Sequence, residues 1–174
     1  MSEISVRSLG EDEWEQYRAV RLSALEESPE AFAATLGEEQ AYDEAFWRMR
    51  MRRSQRLVAE NAEQAVGVAS VGQADDGNPR VAELFGLWVA PDLRGRGVAT
   101  LLVQAGADVA RGQGRTHLAY WVGTDNGRAV AFASGFGFRP TDTRRPMRVR
   151  GGEAEEEEIA MVLPLGDDRG LPRL

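Results

Sequence analysis

Hydrophobic and polar positions along the chain fall into two rhythms that take turns. Residues 3–9 (EISVRSL) read as a short strand, and 10–29 (GEDEWEQYRAVRLSALEESP) have the apolar spacing and acidic start of a helix that Pro29 closes. Residues 30–53 predict one broken or two short helices, with Gly37 as the expected break. Two β-branched runs, RLVAEN (56–61) and QAVGVASVG (64–72), suggest an antiparallel pair. After the turn-like DDGNP, RVAELFGLWVA (80–90) is a longer strand that stops at Pro91. Val98, Leu101, Leu102, Ala105 and Val109 form a helical stripe ended by Gly112 or Gly114. THLAYWVG (116–123) is another strand, NGRAVAFASGFGF (126–138) a short helix stopped by glycine, and RRPMRVR (144–150) and EIAMVLPL (158–165) the last two strands. Interleaved strands and helices predict mixed α/β in one layer-packed domain over residues 1–165, with 166–174 (GDDRGLPRL) as a mobile tail. No internal repeat is visible.

Composition narrows the function classes. A length of 174 residues suits one domain, and no apolar run approaches the span of a bilayer. The first residues, MSEISVRSLGEDEW, lack the basic and apolar regions of a signal peptide, and the chain has no cysteine, so a cytoplasmic location is expected. Thiolate nucleophiles and sulfur ligands are excluded, and a lone His117 cannot build a histidine metal site, so no metal is expected. Every basic side chain apart from His117 is arginine, which rules out a Schiff base on the protein's own lysine. A formal charge of -7 argues against a nucleic-acid partner and suits a cationic one.

The stretch PDLRGRGVATLL (91–102) sets two arginines and two glycines between a strand and a helix. Backbone N–H groups at a helix start lack intrahelical partners, and the helix dipole draws anions there. Glycine at 95 and 97 would let phosphates approach the main chain, and Arg94 and Arg96 add charged donors. Taken alone, the glycine pair reads equally well as a tight turn with solvated arginines. The pattern is not a Walker loop, because no Gly-Lys-Ser/Thr follows, nor a dinucleotide fingerprint, because the third glycine is missing.

At these residues the chain resembles the GNAT superfamily of acyl-CoA-dependent N-acetyltransferases. Its signature, Gln/Arg-x-x-Gly-x-Gly/Ala, is met by Arg94, Gly97 and Ala99. Its second motif, Asn-x-x-Ala-x-x-Leu-Tyr-x-x-x-Gly-Phe, is met by Asn126, Ala129, Phe132, Gly137 and Phe138. The order of elements agrees from residue 3 to about 165. The resemblance implies a mixed, mostly antiparallel central sheet with helices on both faces. It implies acetyl-CoA as co-substrate, its pyrophosphate held by main-chain N–H groups of Arg94, Gly95, Arg96, Gly97, Val98 and Ala99. The pantetheine arm would lie along Leu87, Trp88 and Val89, served by the backbone of Leu87 and Val89, with Asn126 and Phe132 on its other side. In this family the domain often pairs, and no sequence feature here fixes an interface.

Acetyl transfer to a primary amine requires a neutral amine, a stabilised oxyanion and a departing thiolate. With no cysteine, direct attack in a ternary complex is the expected route. Alkyl ammonium groups titrate near ~10.4, so a base must accept a proton. Glu83, near the start of the central strand where several family members place a base, is the candidate, sharing the parity of Phe85 and Leu87 in a regular strand. Glu38 and Glu39 rank lower and read better as helix-surface charges. The resemblance gives the oxyanion to the Val89 N–H. It also implies a tyrosine at position 133 to protonate the leaving sulfur; alanine stands there, leaving Ser134, Tyr120 or water as donors. Trp47, Trp88, Trp121 and Phe32 read as core rather than an acceptor pocket, and the arginine and glutamate runs at 144–158 as charges paired across a hairpin, or, as the resemblance implies, as an acidic edge bordering the acceptor site. The acceptor, a small-molecule or peptide amine, is not written in the sequence. Two other readings stay open: an acyl-CoA-binding sensor that lost catalysis, suggested by Ala133, and a nucleotide-phosphate binder.

Overall fold

The computed structural model describes residues 3–74, 77–147, 156–166, 170–172 and 174. Seven strands, β1 (Ile4–Leu9), β2 (Gln55–Asn61), β3 (Gln64–Gln73), β4 (Val81–Val89), β5 (His117–Gly123), β6 (Arg139–Pro146) and β7 (Glu157–Pro164), form one sheet in the order β1-β2-β3-β4-β5-β7-β6. Among the described residues only β4 and β5 run parallel. The helices are α1 (Trp14–Glu27), α2 (Leu36–Gln40), α3 (Glu44–Arg53), α4 (Val98–Gly112) and α5 (Gly127–Phe136). α4 and α5 cover one face with a core that includes Leu84, Val89, Leu102, Leu118 and Ala133. α1 and α3 cover the other around Tyr17, Trp47, Val58, Val68 and Trp88. This is the mixed α/β domain that the sequence pattern predicts, with the mostly antiparallel sheet and helices on both faces that the resemblance implies. No helix among the described residues is long and apolar enough to cross a membrane.

Local chemistry explains most boundaries and corrects three. The break within 30–53 falls at residues 41–43 rather than at Gly37, because Thr35 Oγ1 accepts from Glu38 N to start α2 and Asp43 caps α3 by accepting from Phe46 N. Gly37 sits inside the first turn of α2. The apolar stripe of α4 is rotated from the predicted one: Val98, Leu102, Val103, Gly106, Ala107 and Ala110 are buried, while Leu101 is 38% exposed. The small residues decide this, since a Cβ on Gly106 would stand 3.1 Å from Leu84 Cδ1 and 3.3 Å from Val71 Cγ2, so only glycine brings the helix this close. Strand β6 starts at Arg139, five residues ahead of the predicted run, whose residues 148–150 lie outside the described set.

The tail expected to be mobile makes contacts with the body where it is described. His117, 2% exposed, donates from Nε2 to the Gly170 carbonyl at 2.7 Å. Leu174 packs on Ala74, Val81, Ala119 and Val162.

Candidate functional site

Two irregularities in β4 create the site. Between the Val68↔Trp88 and Ser70↔Phe85 pairs, β4 spends one residue more than β3, and Gly86 takes up the bulge at φ +64°. The bulge reverses the strand's facing: Glu83 and Phe85 look toward α1 and α3, whereas Leu87 and Val89 pack with the α4 core. Glu83 therefore keeps the parity of Phe85 and loses that of Leu87. The parallel pairing of β4 with β5 also stops at Leu84↔Tyr120, and the strands diverge beyond it. Ala90 N donates to Val66 O at 2.8 Å, so by the alternation of an antiparallel ladder the N–H groups of Leu87 and Val89 turn away from β3, into the gap left by β5.

That gap opens into a cleft of about 810 Å³. Leu87, Trp88 and Val89 form one wall, and Gly95, Gly97, Val98 and Ala99 its end. Gly95 and Gly97 stand at φ +79° and +84°, a region L side chains rarely adopt, and a Cβ on either would meet nothing within 4 Å. Conformation, not crowding, demands glycine here, and the space above the turn stays open. The first intrahelical donor is Leu101, whose N–H reaches Gly97 O, so the N–H groups of Val98, Ala99 and Thr100 have no partner within α4. This is a backbone cradle suited to phosphate.

The arginines of the turn behave unlike the expectation for Arg94. Its guanidinium turns inward, donating to Val89 O at 3.0 Å and to Glu27 Oε1 at 2.5 Å. Hydrogen bonds from Ser28, Trp88 Nε1 and Arg94 hold the Glu27 carboxyl below the usual range. Arg94 thus clamps the turn to α1 and leaves only its main chain for an anion. Arg96 is exposed, without an ion pair among the described residues, beside rather than within the cleft. Trp88 is a wall: its indole N–H is bonded to Glu27 and its ring lies in the α1 core.

Across the gap, Asn126 caps α5 by accepting from Ala129 N through Oδ1, so what it can offer the cleft is its amide NH2. Phe132 lines the cleft, as does Arg128, a residue the sequence did not single out. Ala133 is fully buried. Ser134, a candidate donor, is placed on the exposed face of α5, away from the clefts, because each residue of a helix turns by about a hundred degrees from the last. Tyr120 does reach the site: it borders both this cleft and its neighbour, and burial pushes its hydroxyl above the ordinary range, so it stays protonated.

The neighbouring cleft, about 340 Å³, shares Ala31, Phe32, Leu87 and Tyr120 with the first. Glu83 lies on its floor with Oε1 3.8 Å from Arg145 Nη1. Arg145 pairs through Nε with Glu158, directly opposite in the β6–β7 register, and stacks 4.0 Å from the Trp121 ring centroid. The expected cross-hairpin charge pairing thus occurs at Arg145 and Glu158; residues 148–155 lie outside the described set. Trp121 and Phe32 prove to be pocket walls, whereas Trp47 is core. Glu39 is no surface charge. It is fully buried, receiving Nε and Nη2 of Arg21 and both terminal nitrogens of Arg50. Burial pushes its carboxyl up, but the Arg21 and Arg50 bonds outweigh that and hold it below the usual range, so it is a structural anion and not a base. Among the described residues no group of His, Cys, Asp or Glu side chains could hold a metal ion.

The acetyltransferase (GNAT) family model matches residues 9–138, a span that contains the bulged strand, the glycine turn and α5. An uncharacterised N-acetyltransferase of Methanocaldococcus jannaschii is 40% identical over 58 residues, which is 33% of this chain and 26% of that protein. The Salmonella typhimurium protein yncA, solved with its cofactor acetyl-CoA, superposes with a TM-score of 0.70 at 18% identity, covering 96% of both chains. An N-acetyltransferase from Staphylococcus aureus gives 0.72 at 18% identity over 95% of this chain and all of its own. The ribosomal-protein-S18-alanine N-acetyltransferase of Escherichia coli gives 0.68 at 20% over 98% of this chain and all of its own. At such identities the likeness is one of fold, while the family match covers most of the chain and runs through every element that shapes the cleft. The matched span takes in the bulged strand, the parted edge and the left-handed glycine turn of this chain, which belongs to the GNAT acetyltransferases.

Proposed function

We propose that the protein transfers an acetyl group from acetyl-CoA to a primary amine by direct attack in a ternary complex. The observation that carries this reading is the meeting of the two clefts at Phe32, Leu87 and Tyr120: a channel with a phosphate cradle at its far end opens beside the carboxylate of Glu83. The main chain of Arg94 to Ala99 holds the diphosphate, and the edge of β4 at Leu87 and Val89 aligns the arm, with the Asn126 amide and Phe132 opposite. Glu83, 3.8 Å from the Arg145 guanidinium, accepts the proton of the incoming ammonium directly or through one water. The Val89 N–H stabilises negative charge on the carbonyl oxygen as the nitrogen–carbon bond forms. As the carbon–sulfur bond breaks, the Tyr120 hydroxyl donates its proton to the departing thiolate and regains one, through water, from the nitrogen that becomes the neutral amide, while Glu83 returns its own proton to solvent. Because a thiol titrates near ~8.5 it leaves readily, so Ala133 in place of the family's tyrosine does not abolish the reaction.

The test incubates the protein with acetyl-CoA and a panel of primary amines and follows free thiol. E83Q is expected to lower kcat by about a hundredfold or more, with acetyl-CoA affinity by calorimetry unchanged. Absence of thiol release with every amine class refutes the reading. Tight acetyl-CoA binding without turnover would instead identify an acyl-CoA sensor.

A further inference from the structure

On the α1 and α3 side of the sheet, a recess of about 470 Å³ adjoins the 340 Å³ cleft described above and shares Arg21, Glu83, Phe85 and Gly86 with it. Its other charged walls are Arg50 and Arg53 of α3 and Arg56 of β2. Arg56 is only 5% exposed. It donates through Nε and Nη2 to the Arg50 carbonyl and through Nη1 to Ser70 Oγ, and its guanidinium carbon stands 4.8 Å from the Tyr17 ring centroid and 5.5 Å from that of Phe85. These contacts fix its plane without neutralising it, for among the described residues no carboxylate pairs with it. Burial, together with the charges of Arg50, Arg21 and Arg53, works against the guanidinium's own positive charge. A buried cation of this kind is strongly disfavoured unless something negative reaches it.

The surrounding charges do not supply that anion. Glu39 is already engaged by Arg21 and Arg50, and Glu83 faces Arg145. Arg53, exposed at the mouth, has no ion pair among the described residues. Arg21 spends Nε and Nη2 on Glu39 and turns Nη1 toward the bulge, 4.0 Å from a Cβ built on Gly86. The recess therefore holds two unneutralised guanidinium groups, Arg53 and Arg56, with a third donor from Arg21 beside them.

Resting on the acetyl-transfer reading above, we propose that the amine acceptor carries an anionic group, a carboxylate or a phosphate, which seats on Arg53 and Arg56 while its amine faces Glu83. Glu83 borders both cavities, so one acceptor spans them: nitrogen toward the thioester, anion in the recess. Guanidinium forks suit both anions through paired N–H donors. This reverses the expectation, drawn from a net charge of -7, that the partner is simply cationic.

The test has two arms. The full chain is first saturated with coenzyme A, so that the glycine turn is filled, then titrated by calorimetry with inorganic phosphate and with malonate. One-to-one binding of at least one is expected, weakened about tenfold by R53Q and more by R56Q; R53Q alters an exposed side chain and so reads the recess even if R56Q does not fold. In turnover, ω-amino acids and aminoalkyl phosphates are compared with plain amines of equal length and with diamines. Anion-bearing acceptors are expected to show KM lower by about tenfold or more, with R53Q raising that KM more than it lowers kcat. Preference between the two anions identifies the group. Failure of both anions to bind, or a KM for diamines as low as for amino acids, overturns the inference while acetyl transfer stands. Thiol release with no amine sinks the transferase reading instead, and the anion titration alone then decides the recess.

Discussion

Gly97 stands at φ +84° as the cap of α4, and its neighbour Gly95 at +79°. Replacing Gly97 by alanine forces a side chain into the left-handed region at a cost of about 1–2 kcal/mol, and the strain falls on the backbone proposed to hold the diphosphate. G97A is expected to lower the unfolding midpoint and to weaken acetyl-CoA several-fold, measured by thermal unfolding and calorimetry. At this scale the sequence is legible where a residue's identity speaks for its backbone, as glycine does at 95 and 97. It is mute where a long side chain chooses among distant partners. Arg94 bonds a glutamate 67 residues away, and nothing in the run RLVAEN shows that Arg56 is buried against the Tyr17 ring and the Arg50 carbonyl.

Between elements, Glu39 ties three helices together: it lies in α2 and is gripped by Arg21 of α1 and Arg50 of α3. Removing its charge leaves two half-buried guanidinium groups without their carboxylate, so E39Q is expected to lose about 3 kcal/mol in urea unfolding at neutral pH. The pH dependence follows from the depressed carboxyl. A group with a folded pKa below its unfolded value near ~4.3 stabilises fully above that value, and the contribution fades as pH falls through the folded pKa. Acid unfolding curves of E39Q should therefore be flatter over that window than those of the wild type. The order of strands and helices follows from periodicity and caps, and it holds nearly throughout. What periodicity cannot supply is a bulge: the run of residues 81–89 gives no signal in its alternation that Gly86 reverses the strand, and so Leu87 and Glu83 part company.

At the level of the whole molecule, the described tail residues close one end of the sheet. Deleting residues 166–174 removes the acceptor of the buried His117 Nε2 and uncovers Val81, Ala119 and Val162. A loss of about 1 kcal/mol or more and a midpoint lower by about 2–4 °C per kcal/mol are expected by calorimetric scanning, with acetyl-CoA binding retained. The parted strands have a further effect. Among the described residues β1 to β4 and β5 to β7 are stitched through the sheet by the pairs from Val81↔His117 to Leu84↔Tyr120, so the two halves are joined like a book bound along part of its spine. The donor proposed to lie between the loose margins would fasten them, a brace for the protein as well as its reagent.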